Sequence, residues 1–198
     1  MIKYFFSAAF LFLCISCSTP TNDCKNVETN SATAVLNTIF SRKSVRNYTD
    51  REVAKDTLEL LVKAGMAAPS GKNIQPWSFV IVNERQILDK MAEGLPYAKM
   101  LASTKQAIIV CGDPEKSSYW YLDCATASQN ILLAIEAMGL GGVWTAAYPY
   151  DDRIQVVREA LGLPENIIPL NVIPVGHPQK MEEPKDKWDA TKVHWNTY

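Results

Sequence analysis

The sequence predicts one folded domain that contains both helices and strands, preceded by a short N-terminal extension. Of its 198 residues, 47% are hydrophobic and 21% are charged, which is the balance of an ordinary globular protein with a core of its own. Short apolar runs indicate strands, and longer segments with apolar residues at helical spacing indicate helices. The formal net charge of -1 argues against a nucleic-acid-binding protein, which usually carries a basic surplus.

Apolar periodicity and turn residues predict the elements in this order: helix 34–40, helix from about 50 to 67, strand 77–82, one or two helices over 84–102, strand 107–111, helix 117–138, strand 143–147, helix from about 151 to 161, and strand 167–175. Gly94 and Pro96 interrupt the third helical segment, and Gly162 ends the last helix. Pro169 and Pro174 place the final strand at an edge of the sheet, or lie at the ends of that strand. The segment 117–138 is apolar around most of its circumference, so it must be buried centrally or against a second subunit.

The first 17 residues have the pattern of a bacterial lipoprotein signal. Lys3 precedes an apolar run over residues 4–15, and small residues and Cys17 follow. The pattern predicts a signal peptide over 1–17 with Cys17 lipidated, a flexible tether over 18–33, and a folded domain over 34–198. The protein would then be anchored to a membrane of the cell envelope. Simple secretion and an uncleaved anchor are the alternatives, and a cytoplasmic location would follow if there is no signal.

A cluster of cations follows the first helix of the folded domain. Arg42, Lys43, Ser44 and Arg46 lie within five residues. Arg bonds two oxygens of an oxyanion at once, Lys adds a compact charge and Ser adds a neutral donor, so the cluster suits a phosphate. A solvated basic face is the alternative interpretation.

Two further stretches favour a bound heterocycle. The loop with Pro69, Ser70, Asn73 and Gln75 offers amide side chains ahead of a strand, although such a loop can also be a simple turn. The segment 141–148 has small residues where a backbone can approach a flat ligand closely, or it is a glycine-lined corner between helix and strand.

The remaining polar and sulfur-containing residues are less informative. Cys111 and Cys124 lie within apolar runs, which favours buried structural thiols over a disulfide. With two histidines and no Cys/His spacing, a zinc site is not expected. The tail 180–198 is polar apart from Trp188 and Trp195, so it more plausibly wraps a neighbour than folds alone.

Taken together, four motifs resemble those of the nitroreductase family of flavoproteins. They are the basic cluster, the Pro-Ser-x-x-Asn-x-Gln-Pro-Trp loop, the turn at Gly139–Gly141 and the end at Val172–Pro178, and they occur in the family's order over about residues 33–196. The resemblance implies an α+β fold with a mixed sheet flanked by helices. It also implies a homodimer in which each C-terminal arm extends the other subunit's sheet.

The resemblance further implies noncovalently bound FMN at the dimer interface. Arg42, Lys43, Ser44 and Arg46 would hold its phosphate and the neighbouring ring edge, with Lys185 and Lys187 on the phosphate side. The loop with Pro69 and Ser70 would bring Asn73 and Gln75 to the flavin ring. The backbone at Thr145 and Ala146 would lie beside the reactive edge, and the resemblance assigns no catalytic acid or base.

The family's activity is a ping-pong transfer of electrons from NAD(P)H through FMN to a small organic acceptor such as a nitroaromatic or a quinone. Many members have Pro-Ile-Glu-Gly where this chain has Trp144, Thr145, Ala146 and Ala147, so a carboxylate is absent and the acceptor stays open. A reductive dehalogenase of the same superfold, a flavin-binding surface lipoprotein without nicotinamide turnover and a structural domain are the alternatives.

Overall fold

The computed structural model describes the backbone of residues 23–198 and the side chains of residues 31–198. The chain divides into two units, Met1–Val35 and Leu36–Tyr198, and the second contains the sheet. The helices are α1 Asp23–Ser41, α2 Lys55–Met66, α3 Arg85–Gly94, α4 Trp120–Ala137 and α5 Asp151–Leu161. The strands are β1 Trp77–Val82, β2 Gln106–Gly112, β3 Gly141–Gly142, β4 Thr145–Ala146 and β5 Ile168–Gly176.

Only the last part of the predicted N-terminal extension, from residue 23 onward, lies within the described residues. The signal peptide, Cys17 and residues 18–22 lie outside the described residues. The backbone is helical from Asp23, so α1 begins earlier than the expected start at Ala34 and includes residues assigned to a flexible tether. Residues 23–33 are mostly polar but contain neither proline nor glycine, so nothing in their composition ends a helix.

The strands form one sheet in the order β1-β2-β5-β3, with β4 also paired to β5, and the pairings are antiparallel in the part of the chain described. Strand β5 is therefore central, so the first alternative, an edge strand, is wrong, whereas Pro169 and Pro174 lie near the two ends of the strand, as the second alternative expected. Pro169 lies beside a register shift between Val110 and Cys111, and Pro174 lies opposite the gap between β3 and β4. Proline has no backbone N–H to donate to a neighbouring strand. Its cost in stability is small at these two positions, because the pairing of neighbouring strands is already irregular there.

The sheet has a hydrophobic core on each face. Along β2, Ile108 and Val110 face a core formed with α2 and α4, whereas Ala107 and Ile109 face a second core formed with α3 and α5. All seven residues of β2 are buried. A strand covered on both faces is the centre of a sheet between helical layers, so the expected α+β fold with flanking helices is confirmed.

Helix α4 is the longest helix that lies wholly in this second unit. One side is buried, with Cys124 and Ile131 inaccessible to solvent, whereas Leu122 on the other side remains 50% exposed. The sequence predicted burial around the whole helix, and a single chain supplies only half of it. Among residues 23–198, none of the helices is both long and apolar enough to span a lipid bilayer.

Candidate functional site

The basic segment, residues 42–46, is held in place by backbone and packing contacts of Val45. Val45 is buried, and its backbone N–H donates to the carbonyl of Gly142 at 3.0 Å. A Cβ on Gly141 would lie 2.6 Å from Val45 Cγ1, so only glycine allows this approach. These contacts hold the charged side chains on either side of Val45 next to the short strand β3.

Tyr48 supplies a second anchor for this segment. Its hydroxyl donates to the carbonyl of Val45 at 2.6 Å, and the carbonyl of Pro174 lies 3.3 Å away. Burial raises the pKa of Tyr48 well above its usual value, against a smaller lowering by Arg46. The phenol therefore stays a protonated donor across the physiological pH range.

The basic segment and the C-terminal tail line one cavity of about 380 Å³. We call it the basic cavity; its lining residues are Arg42, Lys43, Ser44, Arg46, Glu182, Glu183, Lys185 and Lys187. Two segments about 140 residues apart in the chain thus place cations around the same space. The structure brings together the six residues that the sequence assigned to the phosphate side.

Lys43 differs from the other cations of the basic cavity. Its Nζ lies 2.8 Å from Glu136 Oε1 near the C-terminal end of α4, and both side chains are 14% exposed. The sequence placed Lys43 with the phosphate ligands, and this partly buried ion pair leaves its charge largely satisfied. Sequence reasoning did not find Glu136, because the two residues are 93 positions apart.

The second predicted stretch forms a strained loop, residues 69–76. Lys72, Asn73 and Gln75 have φ angles of 52°, 56° and 53°, a region that side-chain-bearing residues seldom adopt. Gln75 Nε2 donates to Asn73 Oδ1 at 2.9 Å, and the Gln75 backbone N–H donates to Ser70 Oγ at 3.1 Å. Clusters of such strain are typical of ligand-binding loops, where the surrounding structure holds them.

Helix α4 holds this loop near its N-terminal end. The backbone N–H of Gly71 donates to Asp123 Oδ1 at 2.9 Å, and Thr126 Oγ1 donates to the carbonyl of Pro69 at 3.1 Å. Asp123 is buried, and its Oδ2 has no hydrogen-bond partner among the described residues. Asp123 was not among the predicted site residues; an Asp in the first turn of an otherwise apolar helix is the signal in the sequence that points to it.

The loop and the basic cavity meet α4 at different ends. Asp123 holds the loop and Glu136 holds Lys43, and thirteen residues of helix separate the two. At a rise of 1.5 Å per residue this distance is about 20 Å. In a single chain, the contacts that hold the two predicted halves of the site therefore lie near opposite ends of α4.

The third predicted stretch lies in the sheet. Thr145 Oγ1 donates to the carbonyl of Val172 at 2.6 Å, and Ala146 is paired with Asn171 of β5. Thr145 is buried and its hydroxyl is engaged, so its side chain is not free to bind a ligand. The contribution of the main chain of Thr145 and Ala146 stays a prediction.

The two cysteines of the folded domain are free and buried, as the sequence predicted. Burial raises the pKa of Cys111 to about 12. Burial, with smaller contributions from Cys111 and Asp123, raises the pKa of Cys124 to about 12. Neither thiol forms an appreciable amount of thiolate at neutral pH, so both are structural rather than nucleophilic.

Fold and motifs together define the class of protein. The sequence model of the nitroreductase family matches residues 39–110 and 94–177, and the chain belongs to this family. A protein of Archaeoglobus fulgidus named as a candidate NADH dehydrogenase/NAD(P)H nitroreductase is 40% identical over 166 residues, which are 80% of this chain and 95% of that protein.

Solved structures agree with this assignment. A candidate NADH dehydrogenase/NAD(P)H nitroreductase from Bacteroides thetaiotaomicron is 59% identical, with a TM-score of 0.82 over 83% of this chain and 98% of that chain. The NADPH:FMN oxidoreductase of Vibrio harveyi, solved in complex with NAD+, is 28% identical, with a TM-score of 0.74 over 83% of this chain and 78% of that chain.

Proposed function

We propose that the protein is an FMN-dependent oxidoreductase that takes electrons from NAD(P)H and passes them to a small organic acceptor in two separate half-reactions. The observation that carries the proposal is the convergence of Arg42, Ser44 and Arg46 with Lys185 and Lys187 on the basic cavity. One relative is named as a candidate NADH dehydrogenase/NAD(P)H nitroreductase and another as an NADPH-flavin oxidoreductase. Both names support the same assignment.

The charges of the basic cavity fit the phosphate of FMN. Beyond the Lys43–Glu136 pair, the lining contains four cations and the carboxylates of Glu182 and Glu183. The surplus is at least two positive charges, because Glu182 is itself 3.5 Å from Lys180. A phosphate monoester has a charge of about -1.5 to -2 at neutral pH, so the cavity can neutralise it.

FMN, when bound, would supply the hydride chemistry itself. Arg42 and Arg46 would hold the phosphate with bidentate hydrogen bonds, and the Ser44 hydroxyl would add a neutral donor. The amide groups of Asn73 and Gln75 can exchange their mutual hydrogen bond for bonds to the edge of a heterocycle. The cations near the site favour developing negative charge, and none of the residues assigned here is required to donate a proton.

The separation of about 20 Å along α4 favours a site shared between two copies of the chain. In a symmetric dimer with antiparallel α4 helices, the loop of one subunit would lie beside the basic cavity of the other. The exposed side chains Leu122, Trp188 and Trp195 provide apolar surface for such a contact, being 50%, 76% and 85% exposed in the single chain. We therefore propose a homodimer in which FMN lies at the interface and the C-terminal arm crosses to the partner.

Initial-rate kinetics test the proposed two-step reaction. Rates are measured with NADH or NADPH and a water-soluble quinone, each varied at several fixed concentrations of the other. Parallel double-reciprocal lines are expected, because reduction and reoxidation of the flavin occur in sequence at one site. Intersecting lines, or no flavin-dependent turnover with either nucleotide, would contradict the proposal.

A further inference from the structure

An arginine near the start of α5, Arg153, lies against two tyrosine rings. The guanidinium carbon of Arg153 lies 3.8 Å from the ring centre of Tyr150 and 5.2 Å from that of Tyr97. The rings remain 48% and 71% exposed, whereas Arg153 is partly buried between them. We call these three residues the arginine clamp. The rings stabilise the cation and limit its rotation, which leaves the edge of the guanidinium as its available face.

The cation of the clamp is not neutralised by the described part of the chain. Arg153 forms no ion pair there, and its Nε is buried without a hydrogen-bond partner. Asp151 and Asp152 occupy the same first turn of α5, but both are exposed and neither pairs with Arg153. The described chain offers the guanidinium of Arg153 no acceptor, so its accessible N–H donors are free to bind a carboxylate, a phosphate or a carbonyl oxygen from outside.

The clamp lies close to the strand assigned to the reactive edge of FMN. The backbone N–H of Tyr150 donates to the carbonyl of Ala147 at 3.0 Å, which closes a tight turn directly after β4. Such a turn keeps the Cα atoms of Ala147 and Tyr150 within about 7 Å of each other. The clamp therefore begins one tight turn beyond β4 along the chain.

We propose that the arginine clamp binds the carboxylate of an anionic aromatic electron acceptor and so selects such acceptors over neutral ones. This inference rests on the proposed function, because it assigns a substrate class to the same site. Arg153 would bond the carboxylate through two parallel N–H donors, and Tyr97 and Tyr150 would line the approach with aromatic surface.

Binding of a matched pair of probes tests this assignment without any turnover. 4-Nitrobenzoate and 4-nitrobenzamide have nearly the same shape and differ in charge. Calorimetry with the oxidised, FMN-loaded full-length protein should show that the benzoate binds about tenfold more tightly, as expected for a charge-assisted pair of hydrogen bonds. Equal affinities for the two probes in the wild-type protein would overturn the proposal.

Three variants locate the effect. R153M should abolish the preference for the benzoate, and R153K, which keeps the charge without the planar fork, should keep part of it. R158M is the matched control, because it removes the same charge from another side of α5, where Arg158 donates to the carbonyl of Pro164. A preference that survives R153M, or that disappears equally in R158M, would overturn the assignment.

The outcome can be separated from that of the proposed function. If Arg153 binds the benzoate but no electrons reach it from NAD(P)H, the clamp is correct and the proposed reaction is wrong. If turnover is normal but the wild-type protein shows no charge preference, the clamp alone is wrong. An R153M variant with a raised KM for NADH and unchanged benzoate binding would assign the arginine to the electron donor and overturn the proposal.

Discussion

At the scale of single residues, the basic segment separates into two roles. Arg42, Ser44 and Arg46 line the basic cavity without an ion pair in the described part of the chain, whereas Lys43 is paired with Glu136. Charge alone does not distinguish them, because three of the four are cations within five residues. The ion pair with Glu136 on α4 distinguishes Lys43 from the other two cations.

This division predicts different effects for two neighbouring charge removals. R42M should weaken FMN binding by at least about tenfold, because it removes a charge-assisted contact worth roughly 1.5–3 kcal/mol. K43M should change FMN affinity much less but lower the free energy of unfolding of the apoprotein, because it leaves Glu136 partly buried without its cation. Fluorescence titration with FMN and urea unfolding measure the two effects. Equal loss of FMN in both variants would contradict the division.

At the scale of elements, the sequence predicted the long and regular segments well. The strand 77–82 has the expected bounds, α3 ends at Gly94, and α5 ends where Gly162 adopts a φ of 63°. The central position of β5 could not be predicted, because its tolerance for two prolines depends on irregularities in strands distant in sequence. The expected strand 143–147 is two short pairings instead, and an apolar run alone does not show where a partner strand is interrupted.

The candidate site was likewise predictable only in part. Its basic and amide-bearing segments could be selected from residue type and order, since phosphate and heterocycles favour those groups. Residue type and order do not single out Asp123, Glu136 or Arg153. Each becomes a candidate only through a contact that forms in the folded chain.

The contact between Gly141 and Val45 predicts an effect of a methyl group on the site. G141A would place Cβ 2.6 Å from Val45 Cγ1, so the basic segment must shift; we expect a loss of about 1–3 kcal/mol in stability and weaker FMN binding. G139A is the control, because Gly139 has a φ of 67° but open space around its Cα; it should cost about 1–2 kcal/mol and leave FMN affinity unchanged. Thermal unfolding and FMN titration test the pair, and weaker FMN binding in G139A as well would argue against a local effect.

At the scale of the whole molecule, the C-terminal tail is more exposed than a single chain would favour. Met181, Trp188 and Trp195 are 81%, 76% and 85% exposed, yet the same tail brings Lys185 and Lys187 to the basic cavity. Large exposed aromatic side chains mark surfaces that bind another protein. The tail therefore links the proposed dimer to the proposed cofactor.

Removing the tail should affect both properties, whereas neutralising its charges should affect one. A chain that ends at Gln179 should become monomeric and lose FMN, because it lacks the arm and both lysines. The full-length double variant K185M/K187M should stay dimeric and lose FMN affinity only. Analytical ultracentrifugation and FMN titration separate these outcomes, and a truncated protein that remains dimeric and yellow would contradict the account.

The N-terminal segment gives an independent prediction about location. We propose that Cys17, which lies outside the described residues, is lipidated and holds the protein at a membrane. Expression of the full chain in a bacterium fed a labelled fatty acid should label the wild-type protein and leave C17A unlabelled. Equal labelling of both proteins would show that Cys17 is not the lipidated residue.

The central claim is that this chain holds FMN and reduces it with a nicotinamide nucleotide. Its most direct test is the visible absorption spectrum of the FMN-reconstituted protein under anaerobic conditions, before and after addition of NADH or NADPH. We expect a bound-flavin spectrum that bleaches with at least one nucleotide and returns when a quinone is added. A folded protein that takes up no FMN, or whose flavin stays oxidised with both nucleotides, would contradict it.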